Sequence, residues 1–337
     1  MRKNAYFDYS ISLIRFIATL FIITCHIMQY LDMKLAWWFN VGVQIFLCMS
    51  GFLYGNRGTI INDLTFYKNN IIKILVDYYV VIFPVILLFT VFIPEQLSKI
   101  TILKVLITYG TLPGGEHLWY IPYCLFCYLI TPFLSHYFED NTHAIRRFFA
   151  LSIPAIIIIE TFFAYFNSAW IFCYILGFFL GNISNSGKIK LFRNVSLLII
   201  MTAVLSNSIQ IVQDYVLKAE LSHIVALLYK RYCNYAHVFL GVALFIVFKS
   251  IFTRVFNEGY PNSVKKLCTY SDKYSYDVYL VHQFVILGPF SLMRVTDNIG
   301  LNIVLIMTII VTSSAVVNFV STHIKHKITA TGIIKQR

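Results

Sequence analysis

The sequence predicts an all-α, polytopic integral membrane protein with about ten transmembrane helices and with both termini in the cytoplasm. Hydrophobic residues make up 58% of the 337-residue chain and charged residues only 12%, whereas soluble domains carry roughly 25% charged residues. Apolar runs of nearly membrane-spanning length recur along the whole chain. Lys and Arg concentrate in alternate connections between these runs. The composition therefore excludes a soluble globular protein with a single anchor.

A helix needs about 20 apolar residues to cross a hydrocarbon core of about 30 Å, and ten runs approach that length. They form one membrane domain over residues 1–337, with no appended soluble domain expected. Residues 101–112 are assigned to an outer loop because Lys99, Lys104 and the turn LPGGE interrupt them. The predicted spans are 12–31, 40–56, 74–94, 118–137, 148–166, 169–184, 191–213, 235–253, 275–294 and 301–322.

The basic residues predict the orientation. With the N-terminus inside, 19 of the 27 Lys and Arg residues lie in cytoplasmic segments and seven in outer segments. This asymmetry is what the positive-inside rule requires of a protein with both ends in the cytoplasm. The net charge of +12 is explained by this topology, and it does not indicate a nucleic-acid partner.

The first span carries two ionisable residues, Arg15 and His26, in the stretch RFIATLFIITCH. Eleven residues of helix make about three turns and ~16 Å of rise, so both side chains lie on the same face. Intramembrane ionisable groups usually face a bundle interior or a water-filled cavity. The pair therefore predicts a shared cavity. The alternative is that Arg15 snorkels to lipid headgroups and His26 bonds to another helix.

Four stretches of the chain combine polar or ionisable residues with apolar runs: RFIATLFIITCHI in the first span, NVGVQIFLCMSGFLYG at 40–55, EHLWYIPYCLFCYLITPFL at 116–134 and SYDVYLVHQFVI at 275–286. Taken in order, they resemble the signatures of the membrane acyltransferase 3 family. The family often has Asp or Pro where this chain has Gln44, so no acidic role is assigned there. The family also usually has several arginines in the cytoplasmic loop after the second span. Here that loop carries Arg57, Lys68 and Lys73.

The resemblance implies an O-acetyltransferase of the bacterial inner or plasma membrane. Its donor would be cytoplasmic acetyl-CoA, and its acceptor a hydroxyl of a surface polysaccharide or of a lipid-linked precursor. O-antigen, capsule and exopolysaccharide all remain open as acceptors. No permanently bound cofactor and no metal is expected, because the one Cys-x-x-Cys pair, Cys124 and Cys127, lacks a second pair of ligands.

The chemistry suggests how the roles are divided. His26 suits the acyl centre because histidine titrates near neutral pH, and Arg15 suits the CoA end or the developing oxyanion. His282, in the ninth span, is a further catalytic candidate or a structural group. Lys68 and Lys73 could attract CoA phosphates, although lysine lacks the bidentate geometry of arginine.

Four residues at the predicted outer end of the fourth span are candidates for acceptor binding: Glu116, His117, Trp119 and Tyr120. Trp119 and Tyr120 could stack on a sugar, but aromatic residues are ordinary at membrane interfaces. Glu116 and His117 could simply begin a helix, since an acidic side chain suits its positive end. Asp277 is assigned as the acidic residue deep in a span and is expected to pair with a basic one.

Two other classes of function fit parts of the sequence. A transporter or flippase of a lipid-linked saccharide would also have ten spans and ionisable groups in a cavity. Such proteins are often built from internal repeats, and no repeat is evident here. A non-enzymatic scaffold would give Arg15 and His26 no purpose.

Overall fold

A computed structural model describes residues 8–140, 142–163, 165–257 and 259–330, and this part of the chain is helical, with no strand. Short 3-10 turns cover Pro94–Gln96, Glu116–Trp119 and Leu292–Arg294, and a π-helical turn, Val212–Leu217, extends the ninth helix. The helices are α1 (Tyr9–Tyr30), α2 (Ala36–Phe39), α3 (Val41–Gly55), α4 (Asp63–Phe92), α5 (Lys99–Leu106), α6 (Tyr120–Tyr137), α7 (Ala144–Phe162), α8 (Ser168–Asn185), α9 (Ile189–Ile211), α10 (His223–Val255), α11 (Asn262–Ile286) and α12 (Ile299–Ala330).

The predicted all-helical membrane architecture is confirmed, and each predicted span overlaps one long helix. Within the described residues, eight helical segments are long and apolar enough to cross a bilayer, and α7 and α11 are not among them. Charged residues make up three of the 19 residues of α7 and five of the 25 residues of α11, a higher share than in any of the eight segments. The count of ten crossings therefore stays a prediction. So does the orientation, because the terminal basic residues Arg2, Lys3, Lys335 and Arg337 lie outside the described residues.

Several helices begin or end away from the predicted limits. The helix of the third predicted span, α4, begins at Asp63 rather than near residue 74. It begins there because the Asn62 side chain accepts a hydrogen bond from the Thr65 amide at 2.8 Å and so satisfies a free helix N–H group. Lys68 and Lys73 consequently lie on α4 and not in a loop. The outer segment 101–112 is also partly helical, since Ser98 caps α5 in the same way.

The ninth predicted span, 275–294, differs at both ends from the helix that it overlaps. Helix α11 begins at Asn262 and ends at Ile286. It stops there because Gly288 has a φ of 79°, a left-handed conformation that ends a helix, and Pro289 lacks an amide proton to continue it.

The described residues form two compact units. The first unit holds residues 8–18, 40–59 and 133–265, and the second holds 19–39, 60–132 and 266–330. In the first unit α3 packs on α8 through glycines. A Cβ atom added to Gly51 would lie 2.2 Å from the Tyr174 carbonyl oxygen, and one added to Gly177 would lie 2.3 Å from that of Cys48. Small residues allow this close approach of helices in a membrane.

The second unit contains an ion pair between α4 and α12 in which the carboxylate is buried and the ammonium half-buried. The Lys325 ammonium lies 2.5 Å from a carboxylate oxygen of Asp77. Asp277, on α11, accepts a hydrogen bond at 2.9 Å from the side-chain amide of Asn318. Its hydrogen-bond partner is therefore an amide and not the basic residue that was expected. Asp77 is a second acidic residue buried within a predicted span. A buried charge needs such partners because desolvation is costly.

A close backbone contact in the second unit brings two distant loops together. A Cβ atom on Gly288 would lie 2.5 Å from the Gly114 Cα atom, and both glycines have positive φ. This contact joins the turn before Glu116 to the end of α11. It places the third and fourth signature stretches side by side.

Candidate active site

Three histidines meet in the second unit: His26 on α1, His117 in the turn before α6, and His282 on α11. The ring centroid of His282 lies 5.0 Å from that of His26 and 4.8 Å from that of His117, and those of His26 and His117 are 6.5 Å apart. His117 is 3% exposed and His282 is fully buried, whereas His26 is partly exposed. Residues separated by up to 256 positions thus form one imidazole cluster, which we call the histidine cluster.

The hydrogen bonds of the two buried rings decide which nitrogen carries the proton. Nε2 of His117 lies 3.2 Å from the Leu280 carbonyl oxygen, and Nδ1 of His282 lies 2.7 Å from the Tyr279 carbonyl oxygen. A carbonyl oxygen only accepts, so these two nitrogens are the donors. In the neutral rings, Nδ1 of His117 and Nε2 of His282 are therefore proton-free. Neither has a hydrogen-bond partner within the described part of the chain.

His26 is anchored in the same way by a side chain of its own helix. Its Nδ1 lies 2.6 Å from Oε1 of Gln29, one turn further along α1. With the Gln29 oxygen as acceptor, Nδ1 donates and Nε2 keeps the lone pair. His26 is thus the member of the cluster that combines a basic nitrogen with access from outside.

Two residues that the sequence analysis did not select hold His117 in place. Oε1 of Gln283 accepts from the His117 amide at 2.7 Å, and its Nε2 donates to Oε2 of Glu116 at 2.9 Å. The Tyr279 hydroxyl donates to the His117 carbonyl oxygen. The buried amide of Gln283 therefore ties α11 to the turn that carries Glu116 and His117. Its position beside His282 in the sequence was the available signal.

The four predicted acceptor residues are distributed differently from expectation. His117 is buried within the histidine cluster, and Tyr120 is buried with its ring 5.2 Å from that of Tyr279. Neither presents an open face to a sugar. Glu116 is exposed, and its second carboxylate oxygen accepts from the Gly114 amide at 3.0 Å. Trp119 is partly exposed and packs edge-on against Tyr120 and Tyr123.

Residues 8–322 match a protein-family model that is described as an acyltransferase domain. The chain belongs to the acyltransferase 3 family. No match was found among curated proteins or among solved structures.

For a member of the acyltransferase 3 family the donor site also matters. Arg15 lies on α1, as predicted, in the part of that helix that belongs to the first unit, and it is half-buried. Lys68 is exposed and Lys73 half-buried on α4 in the second unit. Their roles in binding the donor stay predictions. The described residues contain no group of three or more His, Cys, Asp or Glu side chains placed to hold a metal ion.

Proposed function

We propose that the protein transfers an acetyl group from cytoplasmic acetyl-CoA to a hydroxyl of a surface polysaccharide or of its lipid-linked precursor, in a bacterial inner or plasma membrane. Membership of an acyltransferase family supports the reaction class. The observation that carries the proposal is the histidine cluster. It provides proton-free nitrogens inside a protein interior, which a hydroxyl must meet to become a nucleophile.

The reaction balances with one mobile proton. The acceptor hydroxyl oxygen attacks the thioester carbonyl carbon, and a carbon–oxygen bond forms as the carbon–sulfur bond breaks. The hydroxyl proton passes to a histidine nitrogen and from there to the departing thiolate sulfur. The products are an ester and the free thiol of CoA, so no other reactant is needed.

His26 is the general base in this proposal. It is partly exposed while His117 and His282 are buried, so a substrate can reach it without displacing either neighbour. Adjacent imidazoles repel one another when charged. The cluster therefore takes up one proton at a time, and the neighbouring lone pairs help to hold it until the thiolate forms.

The remaining roles extend those expected from the sequence. Arg15 orients a phosphate of CoA, and Lys68 and Lys73 contribute positive charge for the donor. Glu116 and Trp119 are the exposed groups of the predicted acceptor set, and their neighbours His117 and Tyr120 support them from the interior. A carbohydrate acceptor suits this pair because sugars bind to carboxylates and aromatic rings together.

The test is to compare surface polysaccharide from cells that carry the wild-type protein, the His26→Ala variant or no protein. NMR would detect ester-linked acetyl groups that disappear on mild alkali treatment. Esters that depend on wild-type protein support the proposal, and the modified sugar identifies the acceptor. Unchanged esters with polysaccharide that fails to reach the surface would contradict it and favour a transporter. His323→Ala is the matched control, since His323 is exposed on α12 outside the cluster.

A further inference from the structure

The first unit contains a cavity of about 500 Å³ that the acyl-transfer proposal does not use. It lies among α3, α8, α9 and α10, and its size is typical of small-ligand sites. Basic residues stand at one end, namely Arg193 near the start of α9 and Lys249 and Arg254 near the end of α10. Apolar side chains line the other end, including Ile200 and Phe245. One end of the cavity is therefore positively charged and the other end is apolar.

Two of the three cations have no counter-ion among the described residues. Arg193 and Arg254 are exposed at the mouth, and neither guanidinium forms an ion pair or hydrogen bond within the described residues. Lys249 pairs with Asp8 at 3.1 Å and lies over the Phe52 ring. Two unpaired guanidinium groups at one opening suit a phosphate, whose oxygens arginine binds through paired hydrogen bonds.

A second observation points to the same ligand. The hydroxyl of Ser196, one helical turn inside Arg193, is buried in the cavity wall and has no hydrogen-bond partner within the described residues. An unsatisfied buried hydroxyl is unfavourable. A phosphate or glycerol oxygen bound between the arginines and the apolar end would satisfy it.

The surroundings of the mouth favour entry from the bilayer. Leu197, Ile251 and Val255 are 58%, 45% and 66% exposed beside it, on helices apolar enough to cross a membrane. Lipid acyl chains are the natural neighbours of such side chains. The basic residues belong to segments that the charge distribution assigns to the cytoplasm, where the leaflet is rich in anionic lipid.

We infer that this cavity binds an anionic phospholipid. The phosphate lies between Arg193 and Arg254, a headgroup or glycerol oxygen accepts from Ser196, and the start of an acyl chain lies against Ile200 and Phe245. A soluble phosphate compound, including CoA itself, shares the headgroup chemistry but has no hydrocarbon chain to fill the apolar end.

The test is native mass spectrometry of the full chain in detergent, with phosphatidylglycerol and phosphatidylcholine of identical acyl chains. We expect the wild-type protein to retain phosphatidylglycerol about tenfold more tightly, which is roughly the effect of one strong charged contact. The double variant Arg193→Gln/Arg254→Gln should lose that preference. The control Lys190→Gln/Lys266→Gln removes the same charge from exposed lysines outside the cavity and should keep it.

A third variant distinguishes lipid binding inside the cavity from attraction of the lipid by surface charge. Ser196→Leu fills the cavity and removes the hydroxyl without altering charge, so it should weaken phosphatidylglycerol binding as well. The inference is overturned if the control loses the preference equally, if both lipids bind alike, or if Ser196→Leu binds as the wild type does. Displacement of the lipid by inorganic phosphate or CoA at equal concentration would instead assign the site to a soluble phosphate.

Discussion

Each imidazole of the histidine cluster is held through one nitrogen by an oxygen, which leaves the other nitrogen basic. For His117 and His282 the acceptors are backbone carbonyls of α11, and for His26 the acceptor is the side chain of Gln29. A backbone carbonyl cannot rotate to become a donor, so the tautomers of the two buried rings are fixed by the fold. That of His26 depends on a side chain and can change during the reaction.

Replacing His26 by Gln should lower kcat by about 10²- to 10⁴-fold, the usual contribution of a general base. Glutamine keeps a polar side chain of similar reach but cannot take up the proton. The measurement is transfer of radiolabelled acetyl from acetyl-CoA in proteoliposomes, with His323→Gln as the control. Full activity of a correctly inserted His26→Gln protein would refute the role as base.

Gln283 is a positioning residue whose role can be separated from simple packing. The variant Gln283→Glu places a carboxylate against Glu116 and removes a donor, and we expect roughly a tenfold loss of kcat from the broken buried contact. Adding Glu116→Gln restores one donor and one acceptor in exchanged positions. The double variant should therefore recover most of kcat. A merely structural role would leave the two losses additive, with KM and kcat changing together.

The apolar run of the first span drew attention to Arg15 and His26, because an ionisable residue in such a run is conspicuous, and the resemblance to the family added His117 and His282. The sequence was not sufficient to show that the three histidines converge. Gln283 and Tyr279 were missed because an uncharged polar residue becomes important only through its partner. Their partner, His117, lies more than 160 positions away in the sequence. His117 and Tyr120 were assigned to acceptor binding because the sequence does not show that α11 packs over both side chains and buries them.

At the scale of helices, the close approach of α3 and α8 depends on glycine. A Cβ atom added to Gly51 or Gly55 on α3, or to Gly177 or Gly181 on α8, would lie 2.0–2.3 Å from a backbone oxygen of the facing helix. The ends of the helices were less predictable than their approximate positions. The start of α4 depends on a cap at Asn62, and the end of α11 on a left-handed glycine, and hydropathy does not report either feature.

The variant Gly177→Ala should destabilise the protein by about 1–3 kcal/mol or more, the range found for overpacking. The new methyl group would meet the backbone of Cys48 at 2.3 Å, and two helix backbones would have to separate. The measurement is the midpoint of thermal unfolding in detergent. The same substitution at Gly300, in α12, meets only the Asn298 side chain at 3.3 Å and should leave the midpoint nearly unchanged. Equal shifts in both variants would show that the contact is not critical.

For the whole molecule, the open question is whether α7 and α11 cross the membrane. The charges of α7 lie near its ends, at Arg146, Arg147 and Glu160, and Glu160 pairs with Arg231 at 2.7 Å. In α11 the polar residues Ser271, Ser275 and Asp277 are buried against protein. Both helices are long enough to cross. If neither crossed, the basic segments 188–193 and 249–273 would move outside, against the positive-inside rule.

Cysteine labelling distinguishes ten crossings from eight, although both arrangements leave the C-terminus inside. With ten, an impermeant maleimide added to intact cells should label Glu220→Cys and spare Lys190→Cys; with eight, the pattern reverses. Lys34→Cys should be labelled in either case and serves as the positive control. All three positions are exposed, and of the native cysteines only Cys124 is even partly exposed, so background labelling is expected to be low. Protection of Lys34→Cys would show that the orientation itself is inverted.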